Sequence, residues 1–157
     1  AEAEESYRNV VRQGSILDSE ILRSKLSVTE KAMAIYQQKL DQFTTLLKWQ
    51  AMIKGIEVSD AQITKLHAEA SALSARARLD NVEGAASFLE LWTEITTRAP
   101  THASKAKAFA DTILGNGPLS ALFRPLVTMA YGFSHPASSE PTRQELYDFL
   151  VENFSLQ

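Results

Sequence analysis

The stretch that decides the fold is residues 27–55, which reads SVTEKAMAIYQQKLDQFTTLLKWQAMIKG. It opens with a capping box, in which the Ser27 hydroxyl can accept a hydrogen bond from a free backbone N–H and Glu30 can reach back to the N–H of Ser27. Gly55 can end a helix in the left-handed conformation. A helix over about residues 28–54 would be about 40 Å long and the longest element of the fold. Its apolar residues recur at helical spacing, namely Val28, Ala32, Ile35, Tyr36, Leu40, Phe43, Leu46, Leu47 and Ile53.

Two further capping boxes mark other helix starts, at Ser59-Asp60-Ala61-Gln62 and Thr142-Arg143-Gln144-Glu145. The first predicts a helix with a stripe of small and apolar residues at heptad spacing. That stripe lasts barely two heptads, which favours packing inside a bundle over a sustained coiled coil. The second predicts a last helix from about Thr142 to Phe154.

Glycine and proline predict where other helices break. Gly14 is predicted to end a first helix over residues 2–13, so that a short second helix covers residues 15–26. Pro118 suits the first position of a helix that continues to Phe133. Pro125 lies inside that helix and removes one hydrogen bond, so we expect a kink or a split there.

The remaining helix starts are predicted at Asp80 or Asn81 and at Thr101. No segment has the alternating pattern of a strand, and no repeat occurs at a fixed period of about 30–45 residues. The sequence therefore predicts an all-α, compact single-domain bundle of seven or eight helices over residues 1–157. The predicted core comprises Ile35, Phe43, Leu46, Leu47, Leu66, Leu73, Leu89, Trp92, Phe109, Leu122 and Leu126.

Composition limits the classes of partner. The chain has 157 residues and a net charge of −3, so its overall charge gives no reason to expect a nucleic-acid or membrane-surface partner. It has no cysteine, hence no disulfide, and no apolar run of the roughly 18 residues that a membrane span needs. It begins with Ala1 rather than methionine, which indicates a processed or trimmed start.

Residues that could carry catalysis or bind a metal form no recognisable pattern. The three histidines His67, His102 and His135 are far apart and lack metal-ligand spacing. Gly115-Asn116-Gly117 lacks the lysine and hydroxyl residue of a phosphate-binding loop. The sequence therefore predicts no enzyme activity, no cofactor and no metal site.

The segment from Pro118 to Phe133 has Arg124 as its only formal charge. A helix that is apolar on every side lies in the core or is covered by a partner. We favour the core, with a contact surface as the alternative. The candidate partner contacts on this segment are Phe123, Leu126, Met129, Tyr131 and Phe133.

Charged residues give two further candidate surfaces. Glu145, Asp148 and Glu152 lie at i, i+3 and i+7 of the last helix and therefore share one face. This acidic face could bind a basic partner. The candidates for binding nucleic acid are the basic residues Arg76, Arg78, Arg98, Lys105 and Lys107.

The absence of catalytic patterns and the surplus of apolar residues favour a non-enzymatic subunit for protein–protein interaction or assembly. Its partner would be another protein chain, which could be a second copy of itself. One alternative is a helical coat or nucleocapsid-type subunit that binds nucleic acid, although the net charge disfavours it. The other is a carrier of a small molecule or lipid, with Trp49 or Trp92 lining a pocket between helices.

Overall fold

A computed structural model describes residues 2–98, 101–135 and 140–154. Within these ranges the chain contains seven α-helices and no strand, which confirms the all-α bundle. The helices are α1 (Glu2–Arg23), α2 (Val28–Lys54), α3 (Asp60–Arg76), α4 (Val82–Arg98), α5 (His102–Ile113), α6 (Pro118–Ser134) and α7 (Arg143–Phe154).

The helix starts follow the local chemistry of the sequence. Reciprocal capping boxes begin α2 at Ser27 and α3 at Ser59, as predicted. Thr142 begins α7 in the same way, since its hydroxyl accepts from the N–H of Glu145 at 3.1 Å and its own N–H donates to the Glu145 carboxylate. Asn81 begins α4 by accepting from the N–H of Glu83 at 2.8 Å. Gly55 ends α2 with a φ of 65°, also as predicted.

The prediction that Gly14 ends the first helix is wrong, because α1 runs unbroken from Glu2 to Arg23. Gly14 instead faces α2, where its carbonyl accepts a hydrogen bond from the Nε2 of Gln38. A β-carbon there would lie 1.8 Å from the Nε2 atom of Gln42, so the side-chain amide of Gln42 would have to move to admit a larger residue. In this continuous helix Tyr7, Gly14 and Asp18 are buried, while Ile16 is exposed.

Of the kink or split predicted at Pro125, the split does not occur, because α6 is one helix from Pro118 to Ser134. The missing proline N–H leaves the carbonyl of Ala121 without its helical donor. Ala121 is exposed and Pro125 is half-buried, so the affected turn lies on the outer side of α6. A carbonyl on the solvent side of a helix can bond to water instead, and α6 continues through Pro125.

The core forms around α2 and α6. Helix α6 packs against each of α2, α3, α4, α5 and α7. Phe123 of α6 is fully buried, and its ring lies 5.4 Å from that of Tyr36, 5.5 Å from that of Phe109 and 6.0 Å from that of Trp92. The predicted core is buried as expected, apart from Leu89, which is half-buried and packs against it. This core holds the ends of α2, α6 and α7 together, and polar side chains from these three helices meet there.

A polar cleft at the ends of three helices

A polar cleft of about 330 Å³ lies where the C-terminal ends of α2 and α6 meet α7. Helical spacing places its side chains. Gln50 and Lys54 are four residues apart on α2, and Tyr131 and His135 are four residues apart at the end of α6, so each pair points the same way. The residues that line this polar cleft are Gln50, Lys54, Tyr131, His135, Glu145, Asp148, Phe149, Glu152 and Asn153.

A buried pair of amides holds α7 against α2. Gln50 and Asn153 are both buried, and the Nε2 of Gln50 donates to the Oδ1 of Asn153 at 2.7 Å. The Nδ2 of Asn153 donates to the backbone carbonyl of Phe149 at 2.7 Å. The hydroxyl of Tyr7 on α1 donates to the backbone carbonyl of Asn153. These bonds satisfy the buried polar atoms and fix the position of α7 beside the cleft.

Both ring nitrogens of His135 have a partner, one in α6 and one in α2. Its Nδ1 lies 3.0 Å from the carbonyl oxygen of Tyr131, and its Nε2 lies 2.9 Å from the Nζ of Lys54. Because a carbonyl only accepts and an ammonium only donates, the ring carries its proton on Nδ1 and accepts from Lys54 on Nε2. The ring also stacks on that of Tyr131, with centroids 4.0 Å apart.

Glu145 is the acid of α7 whose carboxylate accepts hydrogen bonds from other residues of the cleft region. Its carboxylate accepts from the backbone N–H of Thr142 at 3.1 Å and from the hydroxyl of Tyr131 at 2.9 Å. The bond from the Thr142 backbone, with help from Tyr131, lowers the pKa of Glu145 below its usual value. The same carboxylate raises the pKa of Tyr131, because it stabilises the protonated hydroxyl. Glu145 is thus ionised at neutral pH and orients Tyr131.

The other two acids of the predicted face remain open to solvent. Asp148 and Glu152 are exposed, and Asp148 accepts a hydrogen bond from the Nε2 of Gln144 at 2.9 Å. Within the described part of the chain, Glu152 makes no hydrogen bond or ion pair. The acidic face read from the sequence therefore exists, and it forms one wall of the polar cleft.

A second polar site, which was not predicted from the sequence, lies between α1, α2, α4 and α5. Asp18 of α1 and Lys39 of α2 form a buried ion pair with 3.2 Å between Nζ and Oδ2. The ammonium group of Lys39 lies 5.2 Å from the ring centroid of Trp92. A cavity of about 50 Å³ adjoins the pair, and Trp92 and Phe109 are among the residues that line it. The sequence feature that indicates this site is the face shared by Tyr7, Gly14 and Asp18. These residues share a face only if α1 is continuous through Gly14, which the sequence analysis did not expect.

The candidate partner contacts of α6 divide into three groups. Phe123 and Leu126 are fully buried in the chain's own core, so their side chains are not available to a partner in this structure. Tyr131 is buried too, but its hydroxyl reaches the polar cleft. Met129 and Phe133 are half-buried and pack against the edge of the core. The core interpretation therefore holds for the inner face of this helix.

The basic candidates do not line the polar cleft. Arg76 and Arg78 are exposed at the end of α3, and Lys107 is exposed on α5. Lys105 is half-buried and lines the cavity beside Asp18. The side chain of Arg98 lies outside the described residues. A nucleic-acid surface built from these residues remains a prediction.

The cavity beside Trp92 is small. At about 50 Å³ it is well below the roughly 300–1,000 Å³ of pockets that hold drug-sized ligands. Trp49, the other tryptophan proposed to line a pocket, stacks on Tyr7 with ring centroids 5.0 Å apart. Neither tryptophan therefore supports a lipid-sized ligand.

The described ranges contain no cluster of three or more histidine, aspartate or glutamate residues able to hold a metal ion. No described helix is long and apolar enough to cross a membrane. No protein-family model, curated protein or solved structure matches this chain. The class of this chain is thus an all-α helical bundle, and that fold by itself assigns no function.

Proposed function

We propose that this chain is a non-enzymatic interaction module that binds a basic segment of another protein chain in the polar cleft. The observation that carries the proposal is the concave meeting of the acidic wall of α7 with the rings of Tyr131 and His135. At about 330 Å³ the cleft falls at the lower end of the range for binding clefts. It is large enough for one or two side chains of a partner.

The charges of the cleft favour a cationic occupant. Glu145, Asp148 and Glu152 contribute three carboxylates, against one ammonium group from Lys54. Asp148 and Glu152 are four residues apart on one helix, and such like-charged pairs repel each other by a few tenths of a kcal/mol. A lysine or arginine from a partner would relieve this repulsion and pair with the carboxylate of Glu152.

The aromatic part of the cleft suits the same occupant. Phe149 packs edge-on against Tyr131 and His135, with ring centroids 5.4 Å and 6.1 Å away. Lysine and arginine carry an apolar stem below the charge, and that stem packs well on rings beside carboxylates. A guanidinium or ammonium group near a ring face adds about 0.5–1 kcal/mol at an exposed site.

Peptide titration tests the proposal. A labelled peptide rich in lysine and arginine should bind the chain with saturable fluorescence anisotropy, and a peptide of equal length without charges should not. Raising the salt concentration should weaken the binding, because exposed charges are screened. Glu152→Gln and Asp148→Asn should each weaken binding about two- to fivefold, which is typical of an exposed ion pair.

Glu83→Gln is the matched control. Glu83 is exposed on α4 and does not line the polar cleft, so this variant changes the net charge by the same amount as Glu152→Gln. Equal effects of the two variants would show that only overall charge matters and would overturn the proposal. Sedimentation of the chain alone tests a second copy as the partner, since self-association lost in Glu152→Gln would assign the basic segment to this chain.

A further inference from the structure

We propose that a groove on the outer side of α6 is a docking surface for the exposed face of α1 in a second copy of this chain. The exposed face of α1 consists of Ile16, Leu17 and Glu20. The groove, here called the outer groove, measures about 580 Å³ and shares no residue with the polar cleft, so this inference does not rest on the proposed function. The residues that line the outer groove are Ser120, Ala121, Arg124, Pro125, Thr128 and Met129.

The outer groove has the shape that a neighbouring helix requires. Among the described residues, all of those that line it belong to α6, so no second element encloses it. From Ser120 to Met129 they form a stripe about 13 Å long, at 1.5 Å per residue. Ser120, Ala121 and Thr128 have small side chains, which let the axis of a partner helix come close. The groove therefore suits the side chains of a helix better than an enclosed small molecule.

Two hydrogen-bond donors at one end of the outer groove lack a partner. Ser120 is only 9% exposed, and its hydroxyl makes no hydrogen bond within the described part of the chain. Arg124 is half-buried, and its guanidinium makes neither a hydrogen bond nor an ion pair there. Residues four apart lie on the same face of a helix, so one group can reach both donors. A carboxylate accepts hydrogen bonds from a hydroxyl and from a guanidinium, which makes an acidic side chain the matching group.

The exposed face of α1 has the complementary chemistry. Ile16 and Leu17 are adjacent apolar side chains that are 58% and 42% exposed. Glu20 is exposed one turn further on and makes no hydrogen bond or ion pair in the described ranges. Spacings of three and four residues place the acid on the same side of α1 as the two apolar residues. This face thus offers one carboxylate beside two apolar side chains, and the outer groove offers two donors beside Pro125 and Met129.

The other adjacent pair of exposed apolar residues lacks this combination. Met52 and Ile53 lie near the end of α2, and Lys48 rather than an acid lies one turn before Met52. An ammonium group there would repel Arg124. The charge of the outer groove therefore selects α1 as the occupant.

An antiparallel arrangement of the two helices satisfies both parts of the contact. With the Glu20 carboxylate between Ser120 and Arg124, Leu17 lies about 5 Å away along the axis of α1, at 1.5 Å per residue. Leu17 then points towards Met129 only if α1 runs opposite to α6. Because the contact joins two different surfaces, it is head-to-tail, and self-association can continue into rings or filaments.

Sedimentation of the unmodified chain over a wide range of concentrations tests the proposal. The mean mass should rise with concentration. Arg124→Glu and Glu20→Arg should each weaken self-association at least about tenfold, because each places like charges opposite one another. The double variant Glu20→Arg/Arg124→Glu exchanges the charges across the contact. It should therefore recover the affinity of the unmodified chain to within about threefold.

Arg76→Glu is the matched control for Arg124→Glu. Arg76 is exposed at the end of α3 and does not line the outer groove, so this variant changes the net charge by the same amount. It should leave self-association unchanged, and so should Glu152→Gln, which alters the polar cleft. Self-association that is lost in Glu152→Gln but kept in Arg124→Glu would overturn the proposal and assign the contact to the polar cleft.

Three further outcomes would overturn the proposal. These are a chain that stays monomeric at every concentration, equal effects of Arg76→Glu and Arg124→Glu, and a double variant that does not recover. Circular dichroism shows whether each variant is folded. Glu20 is exposed and Arg124 is half-buried, so Glu20→Arg keeps the test decisive even if Arg124→Glu fails to fold.

Discussion

At the scale of single residues, Leu126 shows how much of the stability comes from α6. Its side chain is fully buried, so Leu126→Ala should lower the free energy of unfolding by about 2–5 kcal/mol. Leu17→Ala deletes the same atoms from a side chain that is 42% exposed. This variant should change the free energy of unfolding by no more than about 0.5 kcal/mol. Urea denaturation measures both. Similar losses in the two variants would contradict the assignment of Leu126 to the core.

Phe123→Ala removes the ring that contacts Tyr36, Trp92 and Phe109. It should lower the free energy of unfolding by about 3–5 kcal/mol, because the cavity it leaves is walled by rings that cannot collapse easily. Thermal melting followed by circular dichroism is the measurement. A variant that melts like the parent would return Phe123 to the candidate partner contacts.

Arg78 is the one described residue other than glycine with a positive φ, at 57°. It lies just after α3, where its N–H donates to the carbonyl of Ala75 and the N–H of Leu79 donates to that of Ser74. Glycine is the usual residue at this position, because a β-carbon is strained there. Arg78→Gly should therefore raise the free energy of unfolding by about 0.5–1 kcal/mol. Arg76→Gly, within the last turn of α3, should lower the free energy of unfolding by a similar amount.

At the scale of elements, α1 is expected to open before the rest of the bundle. Every buried side-chain polar atom found without a partner in the described ranges lies on α1 or on α2, namely Asp18 Oδ1, Gln38 Oε1, Gln42 Nε2 and Trp49 Nε1. Three of these residues contact α1 or belong to it, and Trp49 stacks on Tyr7 of α1. An interface with unsatisfied groups is weaker than one that is apolar or fully paired.

Hydrogen exchange measures this difference directly. Backbone amides in the middle of α1 should exchange faster than those in the middle of α2 and α6, since local opening requires less free energy than global unfolding. The amides of α2 near Phe43 provide the comparison, because that side chain is fully buried in the core. Equal protection in α1 and α2 would show that the bundle opens as one unit.

At the scale of the whole molecule, stability should fall at both extremes of pH. The pKa of Glu145 is below its usual 4.5 in the folded chain, so its contribution is present above that value and is lost as the pH falls through the folded pKa. Burial raises the pKa of Tyr7 and of Tyr36, so their contribution is lost as the pH rises above the usual 10.0. Denaturant midpoints measured across pH should fall on the acid side and on the alkaline side of the curve, here called the acid limb and the alkaline limb. Glu145→Gln should make the loss of stability on the acid limb smaller, and it should also reduce the part of the loss on the alkaline limb that comes from Tyr131, because the Glu145 carboxylate raises the pKa of Tyr131.

The sequence predicted those features that depend on neighbours along the chain. Capping boxes use residues three apart, and the face shared by Glu145, Asp148 and Glu152 follows from helical spacing, so both were accessible. The role of Gly14 could not be predicted from the sequence, because it depends on how closely α2 lies to α1. Lys54 and His135 are 81 residues apart, and nothing local indicates that they meet. The acidic wall of the polar cleft was therefore predictable, whereas its opposite wall and the Asp18 cavity were not.

The central place of α6 has a consequence for how the chain is made. Synthesis proceeds from the N-terminus, so the first five helices are made before residue 118. Trp92 and Phe109 then lack the ring of Phe123, on which both pack in the finished protein. A nascent chain that stops short of α6 thus presents an open aromatic groove, the kind of surface that aggregates or recruits chaperones. The final quarter of the chain closes that groove, so premature termination should yield an aggregation-prone product rather than a smaller bundle.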